Sequence, residues 1–196
     1  MDKLFNKYYD RLMQPLETKI FGRIRKQLLS KAKGKVLEIG SGTGINFLYY
    51  EFADQVIAIE PDPMMLEQSL IKAREATVPI EVVPGDAQNL PYPTNSFDSI
   101  VGTLVLCTIP DPAKALAEIH RVCKPEGTIL IFEHVRLNHL VLGKIQDWLT
   151  PVWKRLCVGC HLNRNTLETV EQAGFRVVQT TSMCRELFLV IEARIK

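Results

Sequence analysis

The stretch VLEIGSGTG, residues 36–44, decides the fold. Val36, Leu37 and Ile39 read as a strand, and Gly40, Gly42 and Gly44 interrupt it at a strand-to-helix turn. Without a Cβ, such a turn lets backbone N–H groups approach a ligand closely at the mouth of a sheet. The spacing departs from the dinucleotide fingerprint G-x-G-x-x-G. Position 45 is Ile45, and the third glycine comes one residue early. Glu60 ends the next apolar run, 20 residues after Gly40 (60 − 40). Nucleotide-binding α/β folds place a carboxylate there for the ribose hydroxyls. Asp86, in GDAQNLP, follows a third run, where a carboxylate can accept from an adenine amine. A glycine turn and two acids at three successive strand ends point to one adenosine-containing ligand.

Outward from that stretch, short apolar runs alternate with helical patterns. Val56 to Ile59, Ile80 to Val83, Phe97 to Val101 and Thr128 to Phe132 read as strands two to five. Asp62-Pro63 and Asp111-Pro112 read as an N-cap followed by a first-turn proline. Leu116, Ile119 and Val122 follow at helical spacing. Runs apolar on both faces belong to parallel sheets covered by helices, so the fold class is a doubly wound α/β sheet. Between 140 and 160, Ile145, Trp148, Leu149, Val152 and Leu156 recur at helical spacing, and Pro151 should kink or interrupt that helix. Asn165 and Glu168 have capping-box spacing for a short helix ending near Gly174. Arg176 to Met183 and Leu187 to Ala193 then read as an antiparallel hairpin. One domain is expected over 1–196: a helical cover (1–34), a ligand-binding core (35–135) and a C-terminal region of helices and the final hairpin (136–196).

Composition narrows the class. With 196 residues, 46% hydrophobic and 23% charged, the chain is ordinary globular material, and its net charge of +2 makes no case for nucleic acid. The longest uncharged apolar run, Ile100 to Ile109, is too short to span a bilayer. The N-terminus is charged and has no signal-peptide core, so a cytoplasmic protein with reduced thiols is expected. CVGCH, residues 157–161, fits the C-x-x-C-H haem-attachment pattern. Zinc sites built from such clusters want four ligands, and no second close pair exists among Cys107, Cys123 and Cys184. No metal or haem is expected. The stretch 19–35 carries seven Lys or Arg and no acid, with Ile20, Phe21, Ile24 and Leu28 as a stripe. Such a stretch serves as the fold's first helix or as a weak peripheral membrane contact.

VLEIGSGTG, AIEPDPMM, GDAQNLPYPTNSFDSI and LAEIHRVCKPEGTILIFEH, in that order, resemble the class I S-adenosylmethionine-dependent methyltransferases, of the type 11 and ubiquinone/menaquinone C-methyltransferase kind. The resemblance implies a Rossmann-like seven-stranded sheet, order 3-2-1-4-5-7-6, and S-adenosyl-L-methionine as cofactor, with S-adenosyl-L-homocysteine as product. It implies that Gly40, Ser41, Gly42 and Gly44 line the cofactor and that Glu38 orients its amino-acid end. Glu60 and Pro61 would take the ribose, Asp86 and Ala87 the adenine, and Thr103 and Leu104 would lie beside the sulfonium. Tyr8, Tyr9 and Asp10 match an element that folds over the cofactor. Cys123 and Glu126 depart from the pattern, in a turn away from the cofactor.

The later segments TLVLCTIPDP, FEHV and CxxCHLNRNT look like the alkyl-thiol methyltransferases and also resemble phospholipid and quinone methyltransferases. In-line transfer to a small lipophilic thiol, quinol or phospholipid amine is expected, against a cofactor-binding module without transfer. His134, at the end of strand five, is the candidate general base. Trp148, Trp153 and Cys160 are the candidate acceptor-pocket residues.

Overall fold

The computed structural model describes residues 2–157 and 159–195, with side chains from position 8 onward apart from Tyr9. Tyr9, implied above as a cofactor contact, therefore lies outside the described side chains. The strands are β1 (Gly34–Ile39), β2 (Ala53–Glu60), β3 (Ile80–Pro84), β4 (Phe97–Thr103), β5 (Cys123–His134), β6 (Phe175–Met183) and β7 (Phe188–Ile195). They form one sheet in the order β3-β2-β1-β4-β5-β7-β6. β1 to β5 pair in parallel, and β7 runs antiparallel to both β5 and β6.

Period-two alternation divides the sheet between two cores. Leu37, Ile39, Ile57, Ile59, Ile100 and Ile129 face one side, against Leu116, Ile119 and Val122 of α4 (Pro112–Val122). Val36, Val56, Ala58, Val101, Leu130 and Phe132 face the other, against Phe21 and against Ile24, Leu28 and Leu29 of α2 (Gly22–Leu29). A π-helical turn, Glu17–Phe21, links α1 (Asp2–Leu16) to α2. The sheet thus takes up Phe21, Ile24 and Leu28 of the apolar stripe in residues 19–35.

Two expectations need correcting. β5 begins at Cys123, directly after α4, and only its register shifts between the Phe97–Cys123 and Ser99–Thr128 pairs. Pro125 and Gly127 mark an excursion within that strand. Pro151 does not interrupt α5 (Leu140–Leu156). It sits on the exposed side, where water can take the carbonyl that loses its N–H donor, and the Thr150 hydroxyl donates to the Gln146 carbonyl at 2.6 Å.

Asp62 and Asp111 cap as expected. Asp62 accepts from the Met64 and Met65 amides to start α3 (Pro63–Ala73), and Asp111 accepts from the Lys114 amide to start α4. Asn165 accepts from the Glu168 amide at the start of α6 (Thr166–Gln172), and Gly174 at φ +91° follows its end. These caps fix where each strand hands over to its helix, and so place the loops above the sheet's C-terminal edge.

Candidate active site

The three glycines of the first turn differ in what they serve. All have positive φ. A Cβ on Gly40 would fall 2.2 Å from Val105 Cγ2, and one on Gly44 would fall 2.7 Å from the Phe47 ring. Those two positions are glycine because protein already fills the space. A Cβ on Gly42 would meet only Met65 Sδ at 3.9 Å. Gly42 is therefore where the turn leaves its backbone open to a ligand.

Glu60 closes this turn. Its Oε2 accepts from the Gly42 amide at 2.8 Å and its Oε1 from the Asp62 amide at 2.9 Å. Burial raises its pKa, and the two amides oppose that rise. Each oxygen keeps a lone pair free, so a diol can still be accepted. Ser41 Oγ is buried without a partner among the described residues, which fits a polar ligand at this turn. Asp10 ties α1 over the same place: its Oδ1 accepts from the Thr43 hydroxyl at 2.5 Å, and it pairs with Lys72 of α3. Asp86 is exposed and accepts from both the backbone and side-chain amides of Gln88, while Ala87 is buried beside it.

Beneath the turn lies a network that the sequence reading missed. Arg25 is 1% exposed. Its guanidinium pairs with Glu17 and donates at 2.7 Å to both Asn46 Oδ1 and Thr103 Oγ1. The Asn46 amide also donates to Thr103 Oγ1 and to Glu38 Oε1, and the Tyr50 hydroxyl donates to Glu38 Oε2 at 2.7 Å. Burial pushes the Glu38 carboxyl up to about 7, against the pull of Tyr50, Asn46 and Arg25. Glu38 and Thr103, both implied as cofactor contacts, are thus bound into one rigid polar layer. Leu104 follows in the left-handed region at φ +53°, held by its amide donating to the Phe132 carbonyl at 2.7 Å.

The acceptor side gathers sulfur. His134 Nε2 lies 3.1 Å from Cys160 Sγ. One ligand-capable atom from each of Cys107, His134 and Cys160 lies within 4.8 Å of the others. Hydrogen bonding from Cys107, with help from His134 and the Trp153 side chain, lowers Cys160 to about 4, and Cys107 is raised in exchange. For His134, burial works downward, but pairing with Cys160 wins and its pKa is raised. Glu133 is fully buried: Oε1 accepts from the Val105 and Leu106 amides, and Oε2 has no partner among the described residues.

The structure therefore brings Trp153, Cys160 and His134 together. Trp148 is 78% exposed on the outer side of α5 and does not join them. The CVGCH run is split as well. Its His161 amide donates to the Cys107 carbonyl at 2.9 Å, the His161 ring meets Arg164, and Cys157 stays outside the cluster.

Residues 37–131 match the family profile described as methyltransferase domain. The chain is 32% identical over 171 residues to the thiol S-methyltransferase TMT1B of Rattus norvegicus, covering 85% of this chain and 70% of that protein. It is 32% identical over 152 residues to the phosphatidylethanolamine N-methyltransferase of Cereibacter sphaeroides, covering 76% and 74%. Among solved structures, a SAM-dependent methyltransferase from Aquifex aeolicus aligns over 100% of both chains with a TM-score of 0.69 at 20% identity, a likeness of fold.

Proposed function

Because the chain belongs to the class I S-adenosylmethionine-dependent methyltransferases, we propose that it transfers the methyl to a small lipophilic thiol by in-line displacement. The observation that carries the acceptor reading is the sulfur-rich cluster of Cys107, His134 and Cys160 at the edge where β4 and β5 end. The likeness to thiol S-methyltransferases, which extends over 85% of the chain, supports it.

S-adenosylmethionine, the cofactor of this family, supplies when bound a methyl already activated by the sulfonium charge. The chain's own work is positioning and exclusion of water, worth roughly 7–11 kcal/mol of barrier when geometry is right. Gly42 and Glu60 would hold the ribose side, and Asp86 with Ala87 the adenine. Glu38 and Thr103, fixed by Arg25 and Asn46, would set the methionine end. A thiol acceptor must lose its proton, and His134 is the group proposed to receive it.

The lipophilic part of the reading rests on α5. Val141, Ile145, Trp148, Leu149, Val152 and Leu156 are exposed, while the helix buries Gly143, Gln146 and Thr150. Lys144, Lys154 and Arg155 flank the apolar side. The one acid, Asp147, is tied to Arg136, which holds its carboxyl down to about 2. Apolar side chains with tryptophan and flanking cations suit an anionic lipid surface, from which a lipophilic acceptor would be drawn. No helix among the described residues is long and apolar enough to cross a membrane.

The test is transfer from labelled cofactor to a panel of alkyl thiols, quinols and phosphatidylethanolamine vesicles. Turnover confined to thiols is expected. Transfer to the amine alone would move the assignment to lipid, and binding without transfer to any member would make the chain a cofactor-binding module.

A further inference from the structure

We infer that Cys107, His134 and Cys160 form a three-ligand site for one thiophilic divalent cation, of which zinc is the type. The sequence spacing offered Cys157, Cys160 and His161 instead, and the fold keeps only one of those three.

The geometry comes first. In tetrahedral zinc, with Zn–S about 2.3 Å and Zn–N about 2.0–2.1 Å, neighbouring ligand atoms sit about 3.6–3.8 Å apart. The three atoms here already lie within 4.8 Å of one another, with His134 Nε2 to Cys160 Sγ at 3.1 Å. To reach that spacing the widest separation closes by about 1 Å and the His134–Cys160 pair opens by about 0.5 Å, which side-chain rotation can supply.

Three separate segments deliver the ligands, and each is anchored. The Cys107 carbonyl accepts from the His161 amide, and Cys107 Sγ lies 3.6 Å from the Leu104 carbonyl oxygen. His134 pairs with Phe188 across β5 and β7. Cys160 follows Gly159, whose amide donates to Lys154 at the end of α5, and its own amide donates to the Cys157 carbonyl. Such anchoring holds the donors in place before any cation arrives.

Burial points the same way. Cys107 is 2% exposed and Cys160 8%, and Glu133, next to His134 in sequence, is fully buried. A dication held by both sulfurs as thiolates would carry its two counter-charges within bonding distance. His134 Nδ1 and Glu133 Oε2 are both buried without a partner among the described residues.

Three protein ligands leave a fourth position for substrate, as in catalytic zinc sites. This part rests on the thiol reading above. An acceptor thiol would coordinate there and, acidified by the cation, release its proton to solvent; with His134 Nε2 on the cation, the metal would replace His134 as the means of deprotonation. The thiolate would then attack the methyl carbon as the cofactor's carbon–sulfur bond breaks, converting thiolate and sulfonium into two neutral thioethers. Cys107 reaches Leu104, which the family resemblance places beside the sulfonium, so the bound thiolate would be delivered at the methyl.

The experiment uses the full chain, reduced and stripped of metal by chelation, then titrated with cobalt(II). One cobalt per chain is expected, with an intense thiolate-to-cobalt band and the visible bands of tetrahedral cobalt. Cys107→Ser, Cys160→Ser and His134→Gln should each weaken binding by about a hundredfold or more, beyond the 10–100-fold cost of outer-shell changes. Cys157→Ser and Cys123→Ser should leave it intact. Circular dichroism checks each variant's fold; should one serine variant fail it, the other two ligand variants carry the test. Absence of the bands, their survival in a folded ligand variant, or their loss in Cys157→Ser overturns the site. A short alkanethiol should shift the thiolate band, and an unshifted band overturns the acceptor role. Thiol turnover undiminished in metal-free protein would remove the metal's role while leaving the thiol reading standing. Cobalt bands without any thiol turnover would do the reverse.

Discussion

Helices α2 and α5 look alike in sequence, each with apolar residues at helical spacing and lysines or arginines between them, yet the fold turns them opposite ways. α2 drives Ile24, Leu28 and Leu29 into the core and takes Arg25 with them. α5 buries Gly143, Gln146 and Thr150 and leaves Trp148 and its aliphatics outside. A helix of the first kind is held by the hydrophobic effect, which scales with the apolar area withdrawn from water. One of the second kind is held by hydrogen bonds on its buried face. The Gln146 side chain accepts from the Leu137 amide at 2.7 Å and donates to the Val135 and Leu162 carbonyls, both at 3.1 Å. The stability of α2 is spent on the fold, whereas the apolar face of α5 remains available to a partner.

The sharpest way to break this contrast is truncation in α2. Leu28→Ala should cost about 3 kcal/mol, since a buried leucine leaves both a lost transfer term and a cavity. Urea unfolding monitored by circular dichroism measures it. A cost below about 1 kcal/mol would mean that α2 is no more essential to the core than α5.

The second expectation exploits the charge that α2 carries inward. Glu38 titrates at about 7 in the fold against an ordinary 4.5. Below 4.5 the carboxyl is protonated folded or unfolded. Above 7 it is ionised in both states, and the folded chain bears the full cost of a buried charge. Between those values the folded chain binds the extra proton, so this group adds stability as pH falls from 7 to 4.5. The total is on the order of 3 kcal/mol at 1.36 kcal/mol per pH unit. Glu38→Gln should remove that slope, seen as the difference between the two proteins' unfolding free energies across the window. A constant difference would place the ionised carboxylate, stabilised by Arg25, in the fold throughout.

On α5 the comparable test is polar. Gln146→Ala should cost about 2 kcal/mol, because the Leu137 amide and two carbonyls lose their partner at a site with little water. Thermal and urea unfolding check it. If the loss falls within experimental error, hydrogen bonding is not what holds α5 on the sheet.

The contrast also marks how far the sequence could be read. Strand runs, the caps at Asp62, Asp111 and Asn165, and the final hairpin are local signals, and local signals survive folding. The burial of Arg25 was legible in principle. It lies four residues after Phe21 and three before Leu28, on their face, but an arginine reads as solvated until a partner such as Glu17 is placed beside it. The direction of α5 was not legible, because periodicity separates two faces without saying which one docks. Cys107 and Cys160 are 53 residues apart (160 − 107), and only the crossing of β4, β5 and the loop after α5 brings them together. A five-residue run drew the eye to Cys157 and His161, but spacing along the chain says little about partners that arrive from other strands.

The smallest stability effect tests what the outer face of α5 is for. Trp148 is exposed and lies away from the Cys160 cluster, so Trp148→Ala should shift unfolding by no more than about 0.5 kcal/mol. Binding should respond differently. Flotation with vesicles rich in phosphatidylglycerol should carry the wild-type chain, more weakly as salt rises, and should carry the Trp148→Ala chain several-fold less well. Phosphatidylcholine vesicles should carry both poorly, because Lys144, Lys154 and Arg155 then lose their counter-charge. Cofactor affinity should be unchanged, as Trp148 is exposed on α5 and is not part of the glycine turn. A concentration-dependent dimer abolished by Trp148→Ala, with no vesicle binding, would assign the face to a second copy of the chain. Loss of the fold would make Trp148 a core residue, and α5 would then be a helix of the same kind as α2.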